Sequence, residues 1–163
     1  MRIGLAALLI AFVMSASAQI GTVTRVTDGD TLWVRLDGPG GTPLNVRKPI
    51  KVRLQGIDAP ERCQAWGPEA KAALESRVLH RRVRLQVRAS DTYHRSIAIV
   101  ELDGDDVGAW MVGRGHAWSA RFRRSPGAYA VQERAAREAR RGLFRDSAPI
   151  DPRAFRKSHG PCP

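Results

Sequence analysis

The chain has 163 residues, which suits one domain and leaves no room for a second of ordinary size. Lysine and arginine number 27 against 16 aspartates and glutamates, for a net charge of +11. That balance favours a polyanionic partner such as a phosphate backbone, although anionic membranes and cell-wall polymers attract the same charge. The four histidines (His80, His94, His116, His159) and two cysteines (Cys63, Cys162) lack the spacing of a zinc site, which argues against one.

Taken in chain order, the first segment reads as a secretory leader. Arg2 is its positive start, residues 3–14 are an uncharged run, and Ala16-Ser17-Ala18 fits a cleavage site before Gln19. The run is shorter than the roughly 20 residues of a membrane span. The expected product is secreted or periplasmic, without stable membrane association, in a compartment that permits a disulfide.

Residues 20–27 read as a strand ending at an Asp28-Gly29 turn, and residues 31–36 return from it. In the returning strand Leu32, Val34 and Leu36 alternate with Thr31, Trp33 and Arg35, as in a β-hairpin. A Gly38-Pro39-Gly40-Gly41 loop follows, then a third strand over residues 50–57 in which Arg53 faces away from Val52 and Leu54. Pro68 opens a helix to about Arg81. Residues 83–88 and 95–102 are two further strands. Asp106 caps a short helix, and Ser125 with Pro126 starts a last one that ends at Gly142. Its run from Glu133 to Arg141 reads as a solvated face. The proline-bearing tail after Phe144 reads as irregular. The expected division is leader 1–18, one domain 19–146 and an irregular tail 147–163. Five strands and about three helices predict an α+β, mainly β fold: a small barrel packed against helices, with the oligonucleotide/oligosaccharide-binding (OB) barrel a good candidate.

Three short segments carry the chemistry. In Asp28-Gly29-Asp30, Asp28 can be a plain turn residue, while Asp30 sits past the turn where a carboxylate can enter a cleft. An EF-hand loop is excluded because Leu32 and Trp33 interrupt its acidic positions. In Arg53-Leu54-Gln55-Gly56-Ile57-Asp58-Ala59-Pro60-Glu61, the Ala59-Pro60 turn can aim Asp58, Glu61 and the Ala59 carbonyl at one point; a surface salt bridge from Arg53 is the alternative. In Asp91-Thr92-Tyr93-His94-Arg95, Arg95 alone could be a solvated charge, and Tyr93 could stack on a base or pack on the barrel rim. Converging, these groups would hold a hard cation, position a water and grip a phosphate. The tryptophans Trp33, Trp66, Trp110 and Trp118 favour packing, least firmly Trp66.

In order and spacing, Asp-Gly-Asp-Thr, Arg-Leu-x-x-Ile-Asp-x-Pro-Glu and Asp-x-Tyr-x-Arg resemble the staphylococcal nuclease (thermonuclease) family. Gly67-Pro68-Glu69-Ala70 and Val112-Gly113-Arg114-Gly115-His116-Ala117 extend the resemblance, which covers residues from about 20 to 145. It implies an OB barrel and Ca²⁺-dependent hydrolysis of DNA and RNA, leaving 3′-phosphate and 5′-hydroxyl ends. It further implies Asp30, Asp58 and the Ala59 carbonyl as calcium ligands, with Asp28 as an outer carboxylate. Glu61 would meet the attacking water, Arg53 and Arg95 the phosphate, and Tyr93 would lie near it. Two departures stand out. Arg121 and its neighbours replace substrate-flanking tyrosines, and the 62–67 loop is short and carries Cys63. A non-catalytic nucleic-acid-binding OB module is the rival, although binding alone does not require acids and arginines together. An OB binder of envelope glycans is a third reading, and it predicts an aromatic groove. The tail needs a tether, so a Cys63–Cys162 disulfide is expected, with free thiols or an intermolecular pair as alternatives. A monomer is the default.

Overall fold

The computed structural model describes residues 18–38, 48–160 and 162. Apart from Ala18 and Gly38, the expected leader and the glycine-rich loop lie outside these residues. The chain runs β1 (Gln19–Asp28), β2 (Thr31–Leu36), β3 (Ile50–Leu54), β4 (Ile57–Asp58), α1 (Gly67–Val78), β5 (Arg82–Ser90), β6 (Ser96–Leu102) and β7 (Asp105–Asp106). It continues with α2 (Val107–Gly113), β8 (Trp118–Ser119), α3 (Ala130–Glu138), a 3₁₀ turn (Gly142–Arg145) and α4 (Pro152–His159).

Strands pair in the order β3-β2-β1-β5-β6, and a parallel β3–β6 pairing joins the two edges. The result is a closed five-stranded OB-type barrel in an α+β, mainly β fold, as the strand count predicts. Val23, Val26, Leu32, Val34, Val52, Leu54, Leu85 and Val100 are buried, so the inward side chains fill the barrel. Ala70, Leu74 and Val78 of α1 and Met111 and Val112 of α2 bury their apolar faces in the same region. A second, smaller cluster of Trp118, Ala136, Leu143 and Phe144 forms beside α3.

Three elements differ from expectation. The third strand does not run unbroken to residue 57, because Gly56 adopts a φ of +78° and turns the chain. Beyond the break, β4 pairs with β8, Ile57 opposite Ser119 and Asp58 opposite Trp118. The last predicted helix starts later and ends sooner. The Tyr129 amide donates to Ser119 Oγ (3.1 Å) and its hydroxyl to Asp106 (2.8 Å), which holds the start at Ala130. At the other end the Arg141 amide reaches the Ala136 carbonyl and the Arg140 amide that of Arg137, with Arg140 at a φ of 48°. That paired closure ends a helix in the manner of a Schellman motif. Within α3 itself, Glu133 is buried rather than solvated; it accepts from the Ser119 amide and pairs with Arg121 and Arg137.

The tail is not irregular. Asp151 caps α4 by accepting from the amides of Arg153 and Ala154, and Pro152 sits at the first helical turn. Proline there starts a helix, because its missing N–H has no intrahelical partner to lose. The barrel is therefore packed with four α-helices among the described residues, not about three.

Candidate active site

The β1–β2 turn, the middle of β3 and the chain after β4 meet at one end of the barrel. Register explains the first contact. Thr31 lies opposite Arg53 across β2 and β3, and the Leu54 amide donates to the Asp30 carbonyl (2.8 Å). Asp30, one residue before Thr31, thus comes beside Arg53. Nη1 of Arg53 donates to Asp30 Oδ2 (2.7 Å); Nη2 donates to Asp58 Oδ1 (3.2 Å) and the Ile57 carbonyl (3.2 Å). One guanidinium fork therefore joins two carboxylates far apart in sequence.

Asp30 is only 5% exposed, and both of its carboxylate oxygens accept hydrogen bonds. Oδ1 accepts from the Thr31 hydroxyl (2.8 Å), and Oδ2 also accepts from the Ala59 amide (3.4 Å). Asp28 accepts from the Asp30 amide (3.1 Å), so it shapes the turn. Burial pushes the Asp30 carboxyl above its ordinary range; Arg53 opposes this, and the nearby Asp28 charge adds to it. Arg53 suffers the same burial, but the Asp30 and Asp58 carboxylates outweigh it and raise its pKa. The pair is ionic and partly desolvated.

Glu61 reaches this cluster through a residue the sequence reading missed. Arg156, on α4, donates from Nη1 to Glu61 Oε1 (2.5 Å) and to Asp58 Oδ1 (3.4 Å), and from Nη2 to Asp58 Oδ2 (3.1 Å). Partial burial works against its charge, but the bonds to Asp58 and Glu61 prevail and raise its pKa. Gln64, also missed, is buried and bridges loop to tail: its Oε1 accepts from the Glu61 amide (3.1 Å) and its Nε2 donates to the Ile150 carbonyl (2.7 Å). Cys63 and Cys162 are joined as a disulfide with their Cα atoms 5.7 Å apart, which ties the tail to the same loop. The available signal was Asp151-Pro152, a cap and first-turn pair, followed by Phe155 and Arg156 at helical spacing.

Arg95 and Tyr93 stand apart from the carboxylates. In the parallel β3–β6 ladder Ser96 pairs with Val52 and Ile97 with Arg53, so Arg95 lies just before the paired stretch of β6. Its guanidinium is held by Asp91, Nε to Oδ2 at 2.7 Å, and lies 5.3 Å from the centre of the Tyr93 ring. Slight desolvation pushes the Asp91 carboxyl up, but hydrogen bonds from the Arg95 amide and side chain and the Tyr93 amide bring it below its ordinary range. Tyr93 is 75% exposed. Trp66 is part of the packing: its ring stacks on His116, which lies against Trp110 as well, and its Nε1 donates to His116 Nδ1 (3.3 Å). Burial, then Arg114, holds His116 below its ordinary pKa, which favours the neutral ring that this bond requires.

The donors fit a hard cation in kind, since Asp30 and Asp58 supply only oxygen and lie within one guanidinium's span. No group of three or more His, Cys, Asp or Glu side chains among the described residues is placed to hold an ion. Two carboxylates would need backbone carbonyl and water to complete a shell.

The family described as staphylococcal nuclease homologue matches residues 51–146. An uncharacterized endonuclease of Haemophilus influenzae is 35% identical over 135 residues, covering 83% of this chain and 71% of its own. Protein ParB of Escherichia coli is 34% identical over 148 residues, covering 84% and 78%. A micrococcal nuclease of Shigella flexneri is 30% identical over 149 residues, covering 85% and 80%. With two of the three motif segments brought together at one end of an OB barrel, the chain belongs to the staphylococcal nuclease family.

Proposed function

We propose that the chain is an exported, calcium-dependent nuclease that hydrolyses phosphodiester bonds in DNA and RNA and leaves 3′-phosphate and 5′-hydroxyl ends. The observation that supports it most is the single guanidinium of Arg53 joining Asp30 to Asp58, beside the loop that carries Glu61. Asp30, Asp58 and the Ala59 carbonyl would hold Ca²⁺, which tolerates irregular oxygen shells, with Asp28 as a supporting carboxylate. Bound there, the ion would supply positive charge to the phosphate and a site for water.

The remaining work falls to side chains. Arg53 and Arg95 would supply positive charge to the phosphate, Arg53 from between Asp30 and Asp58, and fixed cations count most as charge builds on the phosphate oxygens. Glu61 would hold the attacking water or take its proton as the water oxygen bonds to phosphorus. The bond from phosphorus to the 5′ oxygen breaks, and that oxygen gains a proton from solvent to become the 5′-hydroxyl. Tyr93, exposed beside Arg95, would lie against the substrate. No helix among the described residues is long and apolar enough to cross a membrane, and the disulfide suits an oxidising compartment. The working state is taken as monomeric.

The deciding experiment incubates the protein with denatured DNA in calcium or in excess chelator. Hydrolysis only with calcium, abolished by Asp30→Ala with Asp58→Ala, is the expected result. Binding without hydrolysis in either condition would instead identify a non-catalytic OB module.

A further inference from the structure

We propose that Arg156 is an internal counter-cation of the active site: its guanidinium occupies the Asp58–Glu61 carboxylate pair, and a divalent cation reaches Asp58 only by displacing it. The inference rests on the cation-binding reading given under Proposed function. Arg156 contacts both oxygens of Asp58 as well as Glu61, so it covers the face of Asp58 that Arg53 leaves open. A calcium ion bonds carboxylate oxygens at about 2.3–2.6 Å, inside the space that the guanidinium nitrogens fill. A divalent ion at that range would repel the Arg156 guanidinium on the same oxygens.

The placement is built, not incidental. Asp151 caps α4, Phe155 is buried on its inner side, Gln64 holds the Ile150 carbonyl, and the Cys63–Cys162 disulfide fastens the tail two residues beyond Glu61. All four place Arg156 over the carboxylates. Beneath α4 lies a cavity of about 410 Å³ lined by Trp66, Trp118, Leu143, Ile150, Phe155 and His159. Arg156 itself lines a separate open cleft with Glu61, Arg62, Gly160 and Cys162, and its side chain is 42% exposed. It has room to swing outward when a stronger cation arrives.

The competition sets how much calcium the site needs. A partly exposed ion pair is modest, so its loss should tighten calcium binding by roughly threefold to tenfold. Calorimetric titration of the full chain with calcium, without nucleic acid, reads this directly. Arg156→Gln should bind calcium severalfold more tightly than the unaltered protein, with Arg156→Lys between them. Arg153→Gln, which removes the same charge from an exposed position on the same helix, should show a clearly smaller change. Cys63→Ser with Cys162→Ser should shift affinity in the same direction as Arg156→Gln by loosening the helix. Equal or weaker calcium binding by Arg156→Gln, or an equal gain in Arg153→Gln, would overturn this inference alone. Heat release absent from every protein would overturn both this inference and the calcium reading on which it rests.

Discussion

At the scale of single residues, Asp30 and Asp91 are aspartates with opposite effects on stability. Burial raises the folded pKa of Asp30 above its ordinary 3.8, so its contribution to stability is fully present below the unfolded value and is lost as pH rises through the folded one. At neutral pH burial therefore weighs against the ionised side chain, while its bond to Arg53 weighs for it. Asp30→Asn should raise the melting temperature at pH 7 while hydrolysis disappears, and the stability gain should shrink as pH falls toward 4. A melting temperature lowered at pH 7 would show that the bond to Arg53 outweighs burial. Asp91 has the reverse sign: its depressed pKa gives stability present above the unfolded value and lost as pH falls through the folded one. For the reaction, Glu61→Gln should lower turnover by about 10²–10⁴, the usual range for a general base. Arg53→Lys should cost about 10²–10³ because lysine loses the fork that spans Asp30 and Asp58. If both variants fold and keep near-normal rates, these residues do not perform the chemistry.

At the scale of elements, the site depends on how closely α1 approaches the loop before it. A Cβ at Gly67 would run into the Glu61 carbonyl and lie 3.1 Å from that of Arg62. Both obstacles are backbone, so neither can swing aside. Gly67→Ala should destabilise the fold by about 1–3 kcal/mol, as overpacking does, and should impair hydrolysis beyond the loss of folded protein because Glu61 shifts. Urea unfolding and rates normalised to the folded fraction separate the two effects. Elements whose signals are local and periodic were legible in the sequence. The alternation of Leu32 and Val34 and the Asp106 cap map onto structure, whereas the hairpin turn falls on Gly29-Asp30, one residue past the expected Asp28-Gly29. Elements shaped by distant partners were not. The start of α3 depends on Ser119 and Asp106 binding Tyr129, and no window around Ser125 contains that information. Among site residues, Asp30, Arg53, Asp58 and Glu61 could be picked out because they sit in short segments of recognisable order. Arg156 could not, because what makes it part of the site is a helix 95 residues beyond Glu61. The prolines that made the tail look irregular include the one that begins that helix.

At the scale of the whole molecule, charge sets how the protein meets its substrate. A net charge of +11 exceeds what the site needs, and many arginines lie far from the carboxylates. Several of these pair with acids, as Arg77 with Asp105, Arg81 with Asp103 and Arg82 with Asp37. Acids are too few to match every arginine, so the surplus remains as a positive field over the surface. A single-stranded substrate releases counterions as cationic side chains neutralise its phosphates, and log affinity falls with log salt at about 0.7 per phosphate engaged. If about four phosphates are engaged, raising salt from about 50 to 200 mM should weaken binding by roughly fiftyfold. Anisotropy of labelled single-stranded DNA on the Glu61→Gln variant, in chelator so that no hydrolysis intrudes, measures the slope. Removing Arg95 should lower that slope by about one phosphate's worth if it contacts the strand, whereas removing Arg77, which stacks on Trp110 and pairs with Asp105 away from the carboxylate cluster, should leave it nearly unchanged. Affinity that stays flat across this salt range would mean that the strand is held by stacking and not by the basic surface. The excess charge would then have no part in substrate capture.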